Sequence, residues 1–303
     1  MRKFIVLLCV LGLLITPAFG EETPTRETGN ETLFFAATDP EGDDYGPGSY
    51  IYPRNKAFQP YKGLFDLLGF KVSKTDQAEI YFDATIHTVT NPWAAPEGFI
   101  HPVIHIYIST GKDGRVKPID GGPEVVFADR YPWKYAIALI GWESSALYYP
   151  GAKGELEKVG LSPKLLQDRQ TIRVAVPEEL IGRPERDWHY YVIVGSYDGF
   201  GPGFFRDVKK DPGDWVFGGG IDEAGEPRIL DLLALPTGKR SQTNQLQVAA
   251  VGNTPACLYP MGQKKGTALS WQVLVAVILV LVALVIIKRK PTIVGFWLKS
   301  KEE

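Results

Sequence analysis

Four carboxylates fall within six positions in the run Asp39-Pro40-Glu41-Gly42-Asp43-Asp44, which continues as Tyr45-Gly46-Pro47-Gly48. Glycine and proline force tight turns there, and acids held so close repel one another unless a cation sits among them. Hard oxygen donors suit Ca2+, which takes six to eight of them together with backbone carbonyls. The run is not an EF-hand. Asp39, Glu41 and Asp43 occupy the first, third and fifth positions of that loop, but Asp44 stands where its glycine belongs and Tyr50 where its bidentate glutamate belongs. The alternative is a solvated acidic turn. A second loop, Tyr197-Asp198-Gly199-Phe200-Gly201-Pro202-Gly203, precedes Asp211-Pro212-Gly213-Asp214-Trp215, and its glycines permit close backbone approach, so Asp198 or Asp214 is a further candidate for the same ion. Ordinary turn chemistry explains these aspartates equally well.

Other chemistry is thinner. His101 and His105 have the spacing that chelates a metal on a helix, but Pro102 and the alternating isoleucines make the segment a strand. That separates them by about 13 Å, too far to share an ion, and makes them surface or strand-edge histidines. A methionine–histidine haem pair lacks its methionine, because Met261 alone follows the N-terminal segment and lies well outside the strand-rich region. G-x-S-x-G, H-E-x-x-H and C-x-x-C are all absent. A glycosidase would need two carboxylates about 5–9.5 Å apart across a cleft, which sequence spacing neither shows nor forbids.

The elements that must position these residues are strands. In 78–88, Ile80, Phe82, Ala84 and Ile86 alternate with polar residues, the period of a half-buried antiparallel strand. Segments 103–109 and 171–176 repeat the pattern, and 189–197 is apolar on both faces, as a covered central strand would be. Further strands are expected at 33–37, 63–72, 135–142 and 228–235, with short helical turns at 162–168 and 177–181. The expected fold is all-β, an antiparallel β-sandwich over residues 33–236. Residues 237–268 turn polar and read as a stalk, with one more strand candidate at 245–251.

The chain ends read as addresses. Met1-Arg2-Lys3, an apolar run and small residues at Ala18 and Gly20 make 1–20 a signal peptide, followed by a flexible 21–32. Residues 269–287 are nineteen predominantly apolar positions, about 28 Å as a helix, long enough for a single C-terminal transmembrane helix. Lys288-Arg289-Lys290 then places the tail 288–303 in the cytoplasm and the N-terminal domain outside. Of two cysteines, Cys9 lies in the signal peptide and Cys257 in the stalk, so no disulfide framework is available. Asn30-Glu31-Thr32 matches the glycosylation sequon. A net charge of −2 and the absence of a basic stripe argue against nucleic acid.

Taken in order, Asp39 to Pro53, then Gly63-Leu64-Phe65-Asp66-Leu67-Leu68-Gly69-Phe70-Lys71-Val72, Asn91-Pro92-Trp93 and residues 194–206 resemble the C-terminal domain of glucodextranases, a module also found in amylopullulanases. The resemblance implies a DOMON-like sandwich akin to family 9 carbohydrate-binding modules, a sugar or cell-wall polysaccharide ligand and a structural calcium. Its acidic motif matches at Asp39, Asp43 and Asp44, and its Phe-Asp pair at Asp66. A sugar ligand needs flat aromatic faces with polar groups nearby. Trp93, Trp133, Trp142, Tyr148, Tyr149 and Trp215 lie in or beside expected loops, and Trp93 and Trp133 are the preferred platforms. The expected protein is a membrane-anchored, calcium-stabilised, non-catalytic carbohydrate-binding module. The alternative is an assembly protein contacting an S-layer, a transporter or a secreted glycosidase.

Overall fold

The computed structural model describes residues 31–111, 113–221, 225–247 and 255–263. Strands are numbered along the chain. One sheet has five antiparallel strands in the order β1 (Thr32–Thr38), β2 (Leu67–Lys74), β3 (Glu79–Ile86), β10 (Thr171–Pro177) and β9 (Lys164–Leu165). The facing sheet has seven, in the order β12 (Asp231–Leu232), β11 (His189–Ser196), β4 (Pro102–Ser109), β6 (Tyr135–Leu139), β7 (Ala146–Pro150) and β8 (Leu156–Gly160), with β14 (Met261–Gly262) also pairing β11. A parallel pair, β5 (Val125–Phe127) with β13 (Ala256–Leu258), stands apart.

The period of two decides the packing. Ile80, Phe82, Ala84 and Ile86 of β3 are all buried in the core between the sheets, with Val72, Val174, Ile106 and Val192. β4 and β11 are buried on both faces. Their outer residues Val103, Tyr107, Tyr191 and Ile193 belong to a second apolar layer that includes Phe127, Trp133, Leu246 and Leu258. The sandwich is thus extended by a cap over the outer face of its larger sheet.

On the outer face of the smaller sheet, β3 and β10 set Asp83 opposite Arg173. The guanidinium Nε and Nη2 donate to Asp83 Oδ1 and Oδ2 at 2.7 and 2.8 Å, Glu31 lies 3.1 Å from Nη2, and the group stacks on Tyr81. Breaking a buried pair by removing one partner leaves the other charge short of compensation. Because Glu31 remains, Asp83→Ala is expected to cost about 3 kcal/mol, at the low end of that class. Urea titration checks this: the midpoint should drop with an unchanged slope, and an unaltered midpoint refutes it.

Several expectations change. The turn expected at 162–168 contains the short strand β9, and the strand expected over 228–235 is reduced to β12. The stretch taken for a stalk belongs, in its described part, to the domain: the helix Gln242–Leu246 packs Leu246 into the cap, β13 pairs with β5, and β14 pairs with β11. Its polar composition hid buried Gln242 and Gln245, whose amides satisfy backbone groups. Among the described residues no helix is long and apolar enough to cross a membrane. The segments expected as signal peptide (1–20), transmembrane helix (269–287) and tail (288–303) lie outside the described residues.

Candidate functional site

Three long connections meet at one end of the sandwich, where β1, β3 and β11 end and β2 and β4 begin. Thr88 N–H donates to Gly63 O, Tyr197 N–H to His101 O, and Ile51 and Gly218 exchange both backbone bonds, so residues 39–66, 87–101, 197–221 and 225–230 form one layer. The acidic run and the loop aromatics both lie in it.

The acidic run folds inward. Asp39, Asp44 and Asp66 are buried, and so is Asp231 on β12. Asp39, Asp43 and Asp231 each offer an oxygen within 4.8 Å of the others. Some oxygens are used: Asp39 Oδ1 accepts from Ala234 N–H at 2.8 Å, and Asp231 Oδ2 from Leu67 N–H at 2.6 Å. Asp44 Oδ2 accepts from the Tyr52 hydroxyl and from Phe65 N–H at 3.3 Å, and Asp66 Oδ2 accepts from Gly42 N–H at 2.9 Å. Yet Asp39 Oδ2, Asp43 Oδ1 and Asp66 Oδ1 are buried without any hydrogen-bond partner. Burial raises all five, reinforced by neighbouring carboxylates at all but Asp44: Asp39 to about 8, Asp43 to about 6, and Asp44, Asp66 and Asp231 upward as well. Buried carboxylate oxygens with no donor to meet them are chemically suited to a hard cation.

The sequence expectation is therefore altered in two places. Asp198 is not in the cluster; it accepts Phe200 N–H at 3.0 Å and pairs with Arg206 at 3.2 Å. Asp231, which sequence reasoning passed over, takes its place. The signal was present, since an aspartate inside Ile229-Leu230-Asp231-Leu232-Leu233 is anomalous for a plain core strand.

The aromatics separate likewise. Trp133 is 1% exposed, packs on Tyr107 in the cap, and spends its indole N–H on Lys117 O at 2.8 Å, so it offers no platform. Trp93 does reach the surface. It borders a cavity of about 600 Å³ with Tyr61, Trp215, Asn55 and Lys56. Trp215 is 47% and Tyr61 44% exposed, and the Trp93 and Trp215 rings lie 6.1 Å apart at 38°. Buried Arg206 fixes Trp215 by donating to its carbonyl at 2.6 Å and lying 5.8 Å from its ring. Behind Trp93 stands His101, 5.2 Å away and packed on Phe58. His101 and His105 are buried rather than peripheral, on the two different apolar layers, and desolvation lowers both to about 4, leaving neutral imidazoles.

Polar groups ring the aromatic floor. Asn55 Oδ1 accepts Ala57 N–H at 2.9 Å, while Lys56 carries no carboxylate partner among the described residues and Thr90 Oγ1 has no hydrogen-bond partner. Flat apolar rings with a few hydrogen-bonding groups above a rigid floor are what a polyhydroxylated ligand requires.

An all-β sandwich with such a groove on its loop-bearing end has the form of a binding module. The chain belongs to the family of the C-terminal, SLH-like binding module of glucodextranase, whose family model matches residues 34–260. That span includes both the groove and Asp231, and it runs through the region once read as stalk. No curated protein matches the chain.

Proposed function

We propose that this protein is a non-catalytic module that holds glycan or cell-wall polysaccharide outside the cell. Tyr61, Trp93 and Trp215 form the sugar platform, and Ca2+ at Asp39, Asp43 and Asp231 stabilises the loops beneath it. The observation that carries the reading is the pairing of half-buried Trp93 with exposed Trp215 in the lining of an open groove. Buried indoles would be core, whereas these are held at the surface by Arg206 and His101. Calcium rests on the unpartnered oxygens of Asp39 and Asp43. Bound there, the ion would neutralise carboxylates that otherwise repel, and so hold residues 39–44 against Asp231 and Ala234. Export by residues 1–20 and anchoring by 269–287 complete the proposal and rest on the sequence pattern alone.

Affinity electrophoresis tests it. The protein should be retarded in gels containing dextran, starch or isolated wall polysaccharide, and free migration in all of them would transfer the role to contacts with surface proteins.

A further inference from the structure

The groove does not end at Trp93. A second cavity, about 690 Å³, lies beside it, lined by Glu97, Leu165, Gln167 and Arg169, and the two share Asn91 as a common wall. Asn91 is a stiff divider: its Nδ2 donates to Ala95 O and its Oδ1 accepts Ala95 N–H, both at 2.8 Å. The far wall is equally fixed, for Leu165 N–H donates to Glu97 O, and Glu97 Oε2 and Oε1 accept the N–H groups of Trp142 and Glu143 at 3.1 and 2.6 Å. Both Glu97 carboxylate oxygens are thus engaged by backbone donors, which holds the side chain in place. The exposed Arg169 has no ion-pair partner among the described residues.

The backbone marks the same place. Six described non-glycine residues have positive φ, and four of them, Ala94, Trp142, Glu143 and Arg169, lie on segments that wall this second cavity or are hydrogen-bonded to its wall. Such conformations persist where surroundings over-determine them, and they gather at ligand-binding surfaces. Trp142, whose backbone N–H is bonded to Glu97 of this wall, is 45% exposed and has positive φ.

We propose that the two cavities are consecutive subsites of one trough, with Asn91 between them, that takes an internal stretch of an extended polysaccharide rather than a short sugar or a chain end. The inference rests on the glycan-binding reading and adds ligand length to it. Both cavities are open, each falls within the usual size of a ligand site, and Asn91 lines both, so they adjoin at its side chain. Aromatic stacking dominates the first, and the uncommitted guanidinium of Arg169 meets hydroxyl or acidic groups in the second.

The test is a binding series on the full-length chain with linear dextran oligomers of two to ten glucose units and polymeric dextran. Arg169→Gly and Trp142→Gly serve as variants, since glycine keeps positive φ without strain. Affinity is expected to rise at least tenfold between the shortest oligomers and those long enough to pass Asn91. Each variant should bind short oligomers within twofold of the parent while losing most of that length advantage, with an unchanged melting midpoint. An affinity that is flat with length, or a length advantage untouched by both variants, overturns the second subsite and leaves the platform standing. Absence of binding to dextran of every length overturns the platform's assignment to this glucan and the extension with it.

Discussion

In chelator, the thermal midpoint of this domain is expected to fall as pH rises from about 4 to about 8, and calcium, bound as proposed, is expected to reverse the trend. Asp39 holds its proton in the folded state up to about 8 and Asp43 up to about 6, whereas the unfolded chain releases both near 4. The folded state therefore binds more protons across this window, and stability that is complete below about 4 is lost as pH climbs through 6 for Asp43 and 8 for Asp39. Calcium competes with those protons for the same oxygens, so its effect is smallest in acid and largest near pH 8. An ion that binds only the folded state contributes about 2.7 kcal/mol at a hundred times its Kd, several degrees for a domain of this size. The double variant Asp39→Asn/Asp43→Asn removes both groups that carry the slope and two of the three carboxylates that meet within 4.8 Å. It should flatten the pH slope, abolish the calcium response and melt higher than the parent in chelator at pH 8. Calorimetry across pH with and without calcium decides the matter, and an unchanged midpoint on calcium addition at pH 8 would leave the cluster as a proton store only.

Replacing the platform has the other large effect. Trp93→Ala and Trp215→Ala are each expected to weaken polysaccharide retention at least tenfold, about 1.4 kcal/mol or more, because each removes one of two rings lining the groove. Trp215, tethered through its backbone carbonyl to Arg206, should be lost with little change in melting. Trp133→Ala supplies the contrast. It empties a site in the cap and should cost roughly 3–5 kcal/mol of stability, while the groove, built on other loops, keeps its affinity wherever the protein is still folded. Retention that survives both groove variants would dismiss the aromatic platform.

The strands were legible because their burial is periodic: Ile80 to Ile86 announce one apolar face, and the double-sided run of β11 announces a covered strand. The cap was not, since its members, such as Trp133 and Leu258, come from distant parts of the chain and become core only through tertiary contact. For the same reason β4 hid its second face, where His105 and Tyr107 pass for surface residues in a period-two pattern yet are fully buried. The candidate site divided along a similar line. Local runs gave Asp39 and Asp43 of the carboxylate group, with Asp44 and Asp66 outside it, and placed Trp93 and Trp215 in loops, whereas the meeting of Asp231 with the acidic run and of Trp215 with Trp93 depends on a return of the chain after β11.

The pairing of β14 with the start of β11 has a mechanical consequence. His189 faces Gly262, and Gln263 donates to Phe34 O near the beginning of β1, so the first and last described strands leave the domain together. The groove lies at the other pole, past Ser196, a strand of eight residues or about 26 Å away. Were the module to hold a polysaccharide in the groove and be anchored beyond Gln263 as proposed, tension between the two would run lengthwise along β11. Its bonds to β4 and β14 would then be sheared as a group rather than peeled singly, so the sheet would be braced in the direction of the pull.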